Sequence, residues 1–190
     1  PQQRRRSGLV SGLLAFGLLA GMALMGPPAQ AVDAVGPYYA EPAWDQSLPA
    51  ATRFVVLTNW ASAAVLDKET GLVWERTPAS TTSTWFEARK TCTALTTGGR
   101  KGWRLPSLPE LTSLMDPSVA SPGPVLPPGH PFTTGATGVQ SSEYWSATTR
   151  AVDPTVVWYV HFNDGGVDKD KRSLPFHAWC VRGGMNAGQY

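Results

Sequence analysis

The spacing of hydrophobic and polar positions predicts one helix most clearly, over residues 84–95. Its sequence, TWFEARKTCTAL, repeats apolar residues at intervals of three and four, which is the period of a helix with one buried face. Thr84 and Glu87 have the spacing of a capping box, in which each side chain accepts a hydrogen bond from the other residue's free amide. The predicted buried face consists of Trp85, Ala88, Cys92 and Leu95.

A second helix is predicted directly after the extended run GWRLP. Ser107 and Glu110 have the capping-box spacing again, and Pro109 suits the first helical turn because its missing amide proton leaves no helical hydrogen bond unmade there. The apolar stripe of this helix would consist of Leu111, Leu114 and Met115.

Apolar and alternating segments on both sides of the helices predict strands. The first strand is expected at 53–59, and a hairpin at 63–76 has DKETG as its turn. Three later strands are expected at 143–149, 155–162 and 176–184. Strict alternation in 155–162 places Val156, Trp158, Val160 and Phe162 on one face and Val157, Tyr159 and His161 on the other.

The order of these elements predicts an α+β domain, with two helices packed on small antiparallel sheets and joined by long loops. Residues 117–140 are dense in Pro, Gly, Ser and Thr and are interpreted as a long surface loop. NDGG at 163–166 has the composition of a hairpin turn. We interpret Trp145, Trp158 and Trp179 as core residues, and we expect Tyr159 and His161 to be more exposed.

The first 31 residues have the three parts of a secretory signal peptide. Arg4, Arg5 and Arg6 form a basic start, an uncharged Leu/Ala/Gly-rich run follows, and Ala29-Gln30-Ala31 gives a small-residue cleavage site. The alternative is an uncleaved N-terminal anchor. We predict a signal peptide at 1–31, a linker or N-terminal arm at 32–51, the domain at 52–185 and a tail at 186–190.

Signal cleavage would change the charge balance. The chain has 16 Lys and Arg and 14 Asp and Glu, and the predicted signal holds three of the arginines and no acid. The remainder therefore has 13 basic and 14 acidic residues, a net charge of −1. This balance favours neither nucleic acid nor anionic lipid as a partner. The predicted location is exported, whether periplasmic, cell-surface or secreted, without stable membrane insertion after cleavage.

The chain has two cysteines, Cys92 and Cys180. In an exported protein an even count predicts a disulfide, which here would link the first helix to the last strand. Two free thiols and a metal site are the alternatives, although two cysteines without nearby histidines make a poor zinc site.

Motifs of catalysis are missing from the sequence. It contains no HExxH, GxSxG, P-loop, dinucleotide-binding glycine pattern or CxxC, so we predict no enzyme activity, no cofactor and no metal. Calcium is the alternative for the metal prediction, because residues 163–170 carry four oxygen-bearing side chains, although without EF-hand spacing. These are Asn163, Asp164, Asp168 and Asp170.

Six sequence blocks, in order, resemble the Lcl C-terminal domain family, a bacterial domain family named after a collagen-like adhesin. The blocks are TGLVWER, TWFEARKTCTAL, GWRLPSLPELTSLMD, YWSATT, VWYVHF and WCVRGG, between about residues 55 and 184. The resemblance implies a C-type-lectin-like fold, similar to the formylglycine-generating enzymes, and an exported role in binding or surface adhesion. It defines no ligand site.

We therefore predict an exported, non-catalytic binding module for a glycan or a surface or matrix ligand. The alternatives are a structural envelope protein and an enzyme with an unrecognised site. Structural roles are expected for Trp103, Arg104, Pro106 and Trp145. The ligand is expected on the surface made by residues 117–140 and 163–172, with contacts from Arg150, His161, Asp164 and Asp168.

Overall fold

The computed structural model describes residues 48–183, where ten strands form two five-stranded sheets. The helices are α1 (Ala50–Arg53), α2 (Trp85–Ala94) and α3 (Leu108–Thr112), with 3₁₀ turns at Thr58–Trp60 and Thr97–Gly99. The strands are β1 (Phe54–Val56), β2 (Ala64–Asp67), β3 (Leu72–Glu75), β4 (Thr82–Ser83), β5 (Trp103–Arg104), β6 (Glu143–Arg150), β7 (Asp153–His161), β8 (Val167–Lys171), β9 (Phe176–His177) and β10 (Val181–Gly183). The described region is an α+β fold, as the sequence predicts.

The first sheet brings the two ends of the described region together. Its order is β1-β2-β3-β10-β5, and all of its pairs are antiparallel. The hairpin of β2 and β3 matches the predicted one, and Gly71 closes its turn with a φ of 68°. The last strand, β10, lies between β3 and β5, so this sheet forms only after most of the chain is in place.

The second sheet has the order β4-β9-β6-β7-β8. The long hairpin of β6 and β7 is its centre, and β8 continues it antiparallel to one open edge. The pair of β6 with β9 is parallel and consists of Tyr144 opposite His177.

Helix α2 connects the two sheets. The capping box of Thr84 and Glu87 begins it, as predicted, and Trp85, Ala88 and Cys92 are buried on one face. Cys92 forms a disulfide with Cys180, just before β10, with 5.4 Å between the two Cα atoms. The predicted disulfide is therefore present.

The GWRLP run is held in place by hydrogen bonds from the guanidinium group of Arg104. Trp103 is buried, and Arg104 donates to both carboxylate oxygens of Glu110, at 2.6 and 2.7 Å, and to the carbonyls of Leu105 and Gly183. Glu110 also accepts from the amide of Ser107 in the predicted capping box that begins α3. Burial alone would raise the pKa of Glu110, but the Arg104 guanidinium and Ser107 outweigh it and hold that pKa below its usual value. Arg104 is thus fixed by one carboxylate and two backbone carbonyls.

The region 117–140 lacks regular elements apart from one bridge between Thr134 and Val139, but it is not only a surface loop. Two of its backbone amides donate hydrogen bonds to carbonyls at the turn after β7. Gly123 donates to the carbonyl of Asn163, and Val125 donates to that of Phe162. Four of its apolar side chains are buried, and they are Val125, Leu126, Phe132 and Val139. The composition predicted the missing strands and helices, but not this contribution to the core.

The strand predictions at both ends of the domain need correction. Arg53 ends α1 rather than beginning a strand, and the strand at 54–56 is followed by a 3₁₀ turn. The predicted strand 176–184 is two strands, β9 and β10, which belong to different sheets. Residues 178–180 form the crossing, where Cys180 is anchored by its disulfide.

The predicted faces of β7 are also partly wrong. Tyr159 is 7% exposed, not on an open face, because Trp145 and Phe176 pack against its ring. Trp158 is only partly buried, and the Lys169 ammonium lies 5.2 Å from its ring centroid. Both faces of this sheet are covered, so alternation does not separate core from solvent here.

The predicted domain ends fall close to, or outside, the described region. The signal peptide at 1–31, most of the linker at 32–51 and the tail at 186–190 lie outside the described residues. The last linker residues are part of α1. Between residues 48 and 183, no helix has the length and apolar content that crossing a membrane requires.

Glu75 is a buried carboxyl beside the disulfide. It is 9% exposed, and its Oε2 accepts a hydrogen bond from the Cys180 amide at 3.1 Å. Burial raises the pKa of Glu75 to about 7, and the Cys180 amide only partly offsets this. In the unfolded chain the pKa returns to about 4.5. The folded state therefore holds a proton that the unfolded state has lost, so folding stability falls as the pH rises from about 4.5 to about 7.

Glu75→Gln is expected to raise the free energy of unfolding at pH 8 by about 3 kcal/mol, since each pKa unit is worth about 1.4 kcal/mol. The gain should shrink towards zero as the pH falls below about 4.5, where both states hold the proton. Urea unfolding of both proteins at several pH values measures this. Glu87→Gln is the control, because hydrogen bonds from Thr84 lower the pKa of Glu87. A Glu75→Gln gain that does not depend on pH would contradict the expectation.

Candidate ligand-binding cleft

The four predicted ligand contacts do not form one site. Arg150 lies where β6 turns into β7, opposite Asp153, whereas His161 lies at the other end of β7, opposite Glu143. His161 is eight positions after Asp153 along β7, which corresponds to a distance of roughly 26 Å. Asp164 and Asp168 lie at the His161 end, in the turn before β8 and in β8 itself. The single surface predicted from sequence is therefore split in two.

The acidic side chains near His161 are occupied by the backbone. Asp164 accepts from the amide of Gly166, Asp168 from that of Lys169, and Asp170 from that of Lys171. No group of three or more His, Cys, Asp and Glu side chains in residues 48–183 is placed to hold a metal ion. The calcium alternative thus gains no support from the geometry.

The carboxylates of β8 instead belong to the strand at the open edge of the second sheet. Asp168 and Asp170 face Tyr159 and Val157 in the register with β7. Antiparallel pairing of β8 with a second β8 in one continuous sheet would place acid against acid and lysine against lysine, because the two types alternate. This edge is thus protected against pairing with itself, which is a common need of edge strands. The segment 167–171 is a strand that the sequence analysis took for part of a turn.

His161 is paired within the domain. Its Nδ1 lies 3.7 Å from Glu143 Oε1, and its ring packs 5.0 Å from that of Tyr159. A hydrogen bond from Ser142 is the main cause that lowers the pKa of Glu143, with smaller contributions from His161 and His177. The His161 side chain is therefore engaged by Glu143 and Tyr159.

The Arg150 end of the sheet borders an open cleft of about 610 Å³, which we call the Phe86 cleft. The first turn of α2, the start of β7 and the end of β8 meet here. The backbone amide of Trp85 donates a hydrogen bond to the carbonyl of Arg172, and this bond joins α2 to the end of β8. The lining residues are Thr84, Phe86, Thr155, Lys171, Arg172 and Ser173.

An exposed aromatic ring and a guanidinium lie side by side in the cleft. Phe86 is 59% exposed, although its neighbour Trp85 is buried. The Arg172 guanidinium carbon lies 5.4 Å from the Phe86 ring centroid and 4.5 Å from that of Trp85. The Arg172 Nε is buried and donates to no acceptor in the described region. Stacking on two rings holds the arginine in place while leaving that donor unused.

Cationic groups dominate the surroundings of the cleft. Lys171 and Arg172 line it, and Arg89 lies 4.7 Å from the Trp85 ring centroid. Asp153 is within electrostatic reach of Arg150 and Arg172, but hydrogen bonds from Thr155 are the main cause that lowers its pKa. Arg150 thus belongs to the edge of this site, whereas the other three predicted contacts do not.

The cleft brings cationic, hydroxyl and aromatic side chains together. Its six lining residues include two cations, three hydroxyl groups and one aromatic ring, and they include no histidine, cysteine or carboxylate. Two of the hydroxyl groups are already engaged, because Thr84 Oγ1 donates to Glu87 and Thr155 Oγ1 donates to Asp153.

Sequence reasoning missed Phe86 and Arg172. A signal for Phe86 was available, because adjacent residues on a helix point about 100° apart, so Trp85 and Phe86 cannot share one buried face. The packing of Trp85, Ala88 and Cys92 then leaves Phe86 outside. Arg172 gave no such signal, since its place beside α2 depends on the register of β8.

Comparison with known proteins supports the resemblance seen in the sequence motifs. The model of the Lcl C-terminal domain matches residues 63–182, which is more than half of the chain. The matched range contains both disulfide cysteines and all six lining residues of the Phe86 cleft. Comparison with curated proteins gave no match. The chain belongs to the Lcl C-terminal domain family.

Proposed function

We propose that this protein is an exported, non-catalytic binding module that takes a glycan, or a related surface or matrix ligand, in the Phe86 cleft. The observation that carries the proposal is the exposed Phe86 ring beside the Arg172 guanidinium. The ring lies in an open cleft beside cationic and hydroxyl groups, and ligand sites combine an apolar surface with a few such polar groups.

The chemistry of the cleft fits a sugar ring. Phe86 offers an apolar face for the C–H side of a pyranose, and Arg172 and Lys171 offer donors to its oxygens. Ser173 adds a hydroxyl group that both donates and accepts. Binding sites of this kind combine an apolar platform with a few polar groups that fix orientation.

Export and a C-type-lectin-like fold are parts of the same proposal. The disulfide favours an oxidising compartment, because such bonds persist outside the cytosol. In support of the fold, β10 lies between strands from the start and middle of the domain, and two capped helices flank the sheets.

The test is binding of the full chain to a glycan array at physiological salt, followed by titration of each hit. Phe86→Ala and Arg172→Gln are each expected to weaken binding about tenfold or more, as for a central contact of an interface. Val55→Ala is the matched control, because Val55 is also an exposed apolar residue, but on β1 of the other sheet.

Equal binding by Phe86→Ala and the control would refute the cleft as the site. If no glycan bound the full chain, the glycan assignment would fail and a structural role in the envelope would become the better explanation. Loss of glycan binding on addition of a chelator would contradict the prediction that the protein needs no metal ion.

A further inference from the structure

A second aromatic and basic cluster lies away from the Phe86 cleft, around Trp60. The guanidinium carbons of Arg100 and Arg182 are each 5.6 Å from the centroid of the Trp60 ring. The two carbons are therefore at most twice that distance, or 11.2 Å, apart. Lys101 is exposed in the same turn as Arg100. We call these four residues the Trp60 patch.

The positive charges of the Trp60 patch have no partner in the described region. Arg53 and Arg104 each form an ion pair with a carboxylate, whereas none of the ion pairs in residues 48–183 includes Arg100, Lys101 or Arg182. Arg182 Nε donates to the Lys101 carbonyl, which leaves its terminal nitrogens without an acceptor among residues 48–183. The two guanidinium groups carry like charges near one ring, and an anionic partner would neutralise both.

The patch is held in place before any ligand arrives. The Trp60 side chain lies so close to Gly98 that a Cβ on that glycine would be 2.7 Å from the indole. The Arg100 carbonyl accepts from the Trp103 indole nitrogen, which fixes the turn carrying Arg100 and Lys101. A binder that is already ordered loses less conformational entropy when its ligand binds.

We infer that the Trp60 patch binds an extended peptide segment with acidic residues at alternate positions. Alternate side chains of an extended chain lie on one face about 6.7 Å apart, so two carboxylates fit within the 11.2 Å limit between the guanidinium carbons. A planar carboxylate can accept two parallel hydrogen bonds from one guanidinium group, and these bonds are charge-assisted. The half-buried indole between the two arginines is available to the methylene groups of the acidic side chains.

A peptide fits the patch better than a polyanionic polysaccharide does. Two guanidinium groups lie at a single ring, whereas a polyanion is bound by a longer track of positive charge. The remainder of the chain after the predicted signal is close to neutral, with 13 basic and 14 acidic residues, so no broad positive field supports such a track.

The test is fluorescence anisotropy of the full chain with a labelled peptide of alternating glutamate and threonine, at physiological salt. Arg100→Gln and Arg182→Gln are each expected to weaken binding about tenfold, since each removes one charge-assisted pair. Arg172→Gln is the matched control, because Arg172 is also stacked on a tryptophan but lies in the Phe86 cleft. Arg100 is on an exposed turn, so its variant should fold even if Arg182→Gln does not.

Three outcomes would overturn the inference. One is failure of the glutamate peptide to bind, and another is equal binding of a peptide with glutamine in place of glutamate. The third is a sulfated oligosaccharide that binds through Arg100 and Arg182 when the peptide does not. The result is independent of the proposed function, because Arg172→Gln affects glycan binding and Arg100→Gln affects peptide binding.

Discussion

Replacing both Cys92 and Cys180 by alanine is expected to lower the free energy of unfolding by about 4–5 kcal/mol. The disulfide closes a sequence separation of 88 residues, and the loss of chain entropy in the unfolded state grows with the length of the closed loop. The bond also joins α2 to the crossing between β9 and β10.

Urea unfolding of the wild-type protein and the double variant measures this, with and without reductant. The wild-type protein should lose stability on reduction, whereas the double variant should not respond. Both cysteines are buried, so some loss from repacking is expected in addition. Equal unfolding midpoints for the oxidised protein and the variant would show that the bond adds no stability.

Asp67→Ala is expected to lower the free energy of unfolding by about 4 kcal/mol, because it leaves a buried arginine without its main partner. Arg53 is 1% exposed and Asp67 0%, and the guanidinium donates to both carboxylate oxygens at 2.8 and 2.9 Å. Arg53 also donates to the carbonyl of Ser113, so the pair ties the first hairpin to the end of α3. Glu69 lies 3.3 Å from Arg53 Nε and compensates only in part.

The double substitution Arg53→Met with Asp67→Leu separates the cost of an unpaired charge from the value of the pair. Buried ion pairs can often be replaced by apolar residues of similar size at little cost, so the double variant should recover most of the loss. Lys68→Ala, at an exposed site next to Asp67, controls for changes in the hairpin turn. A double variant as unstable as Asp67→Ala would show that the pair itself, not the orphaned charge, carries the stability.

The local features of the fold could be predicted because their partners are close in sequence. In both capping boxes the two residues are three positions apart, so each side chain meets the other residue's amide as soon as the first helical turn forms. The turn of the first hairpin needed a residue that tolerates a positive φ, and Gly71 supplies it. The pairing of Cys92 with Cys180 followed from their number alone.

Apart from the exposure of Phe86, the features missed or mistaken depend on contacts between distant segments. A charged segment such as VDKDK becomes β8 only because β7 offers it a ladder. Trp145 and Phe176 of neighbouring strands cover the Tyr159 ring, and an alternating pattern within one strand cannot reveal that. The buried residues of the region 117–140 likewise have no period, since they fill gaps rather than one face of an element.

The sequence by itself determined the family, the α+β class, the capped helices and the disulfide, because each rests on residue types at short or countable spacing. Only the tertiary structure decided which exposed groups meet. It separated Arg150 from His161, Asp164 and Asp168, and it brought Phe86 of α2 beside Arg172 at the end of β8. A binding surface is a set of side chains from several elements, and their meeting depends on strand register and on long-range packing, which no local pattern encodes.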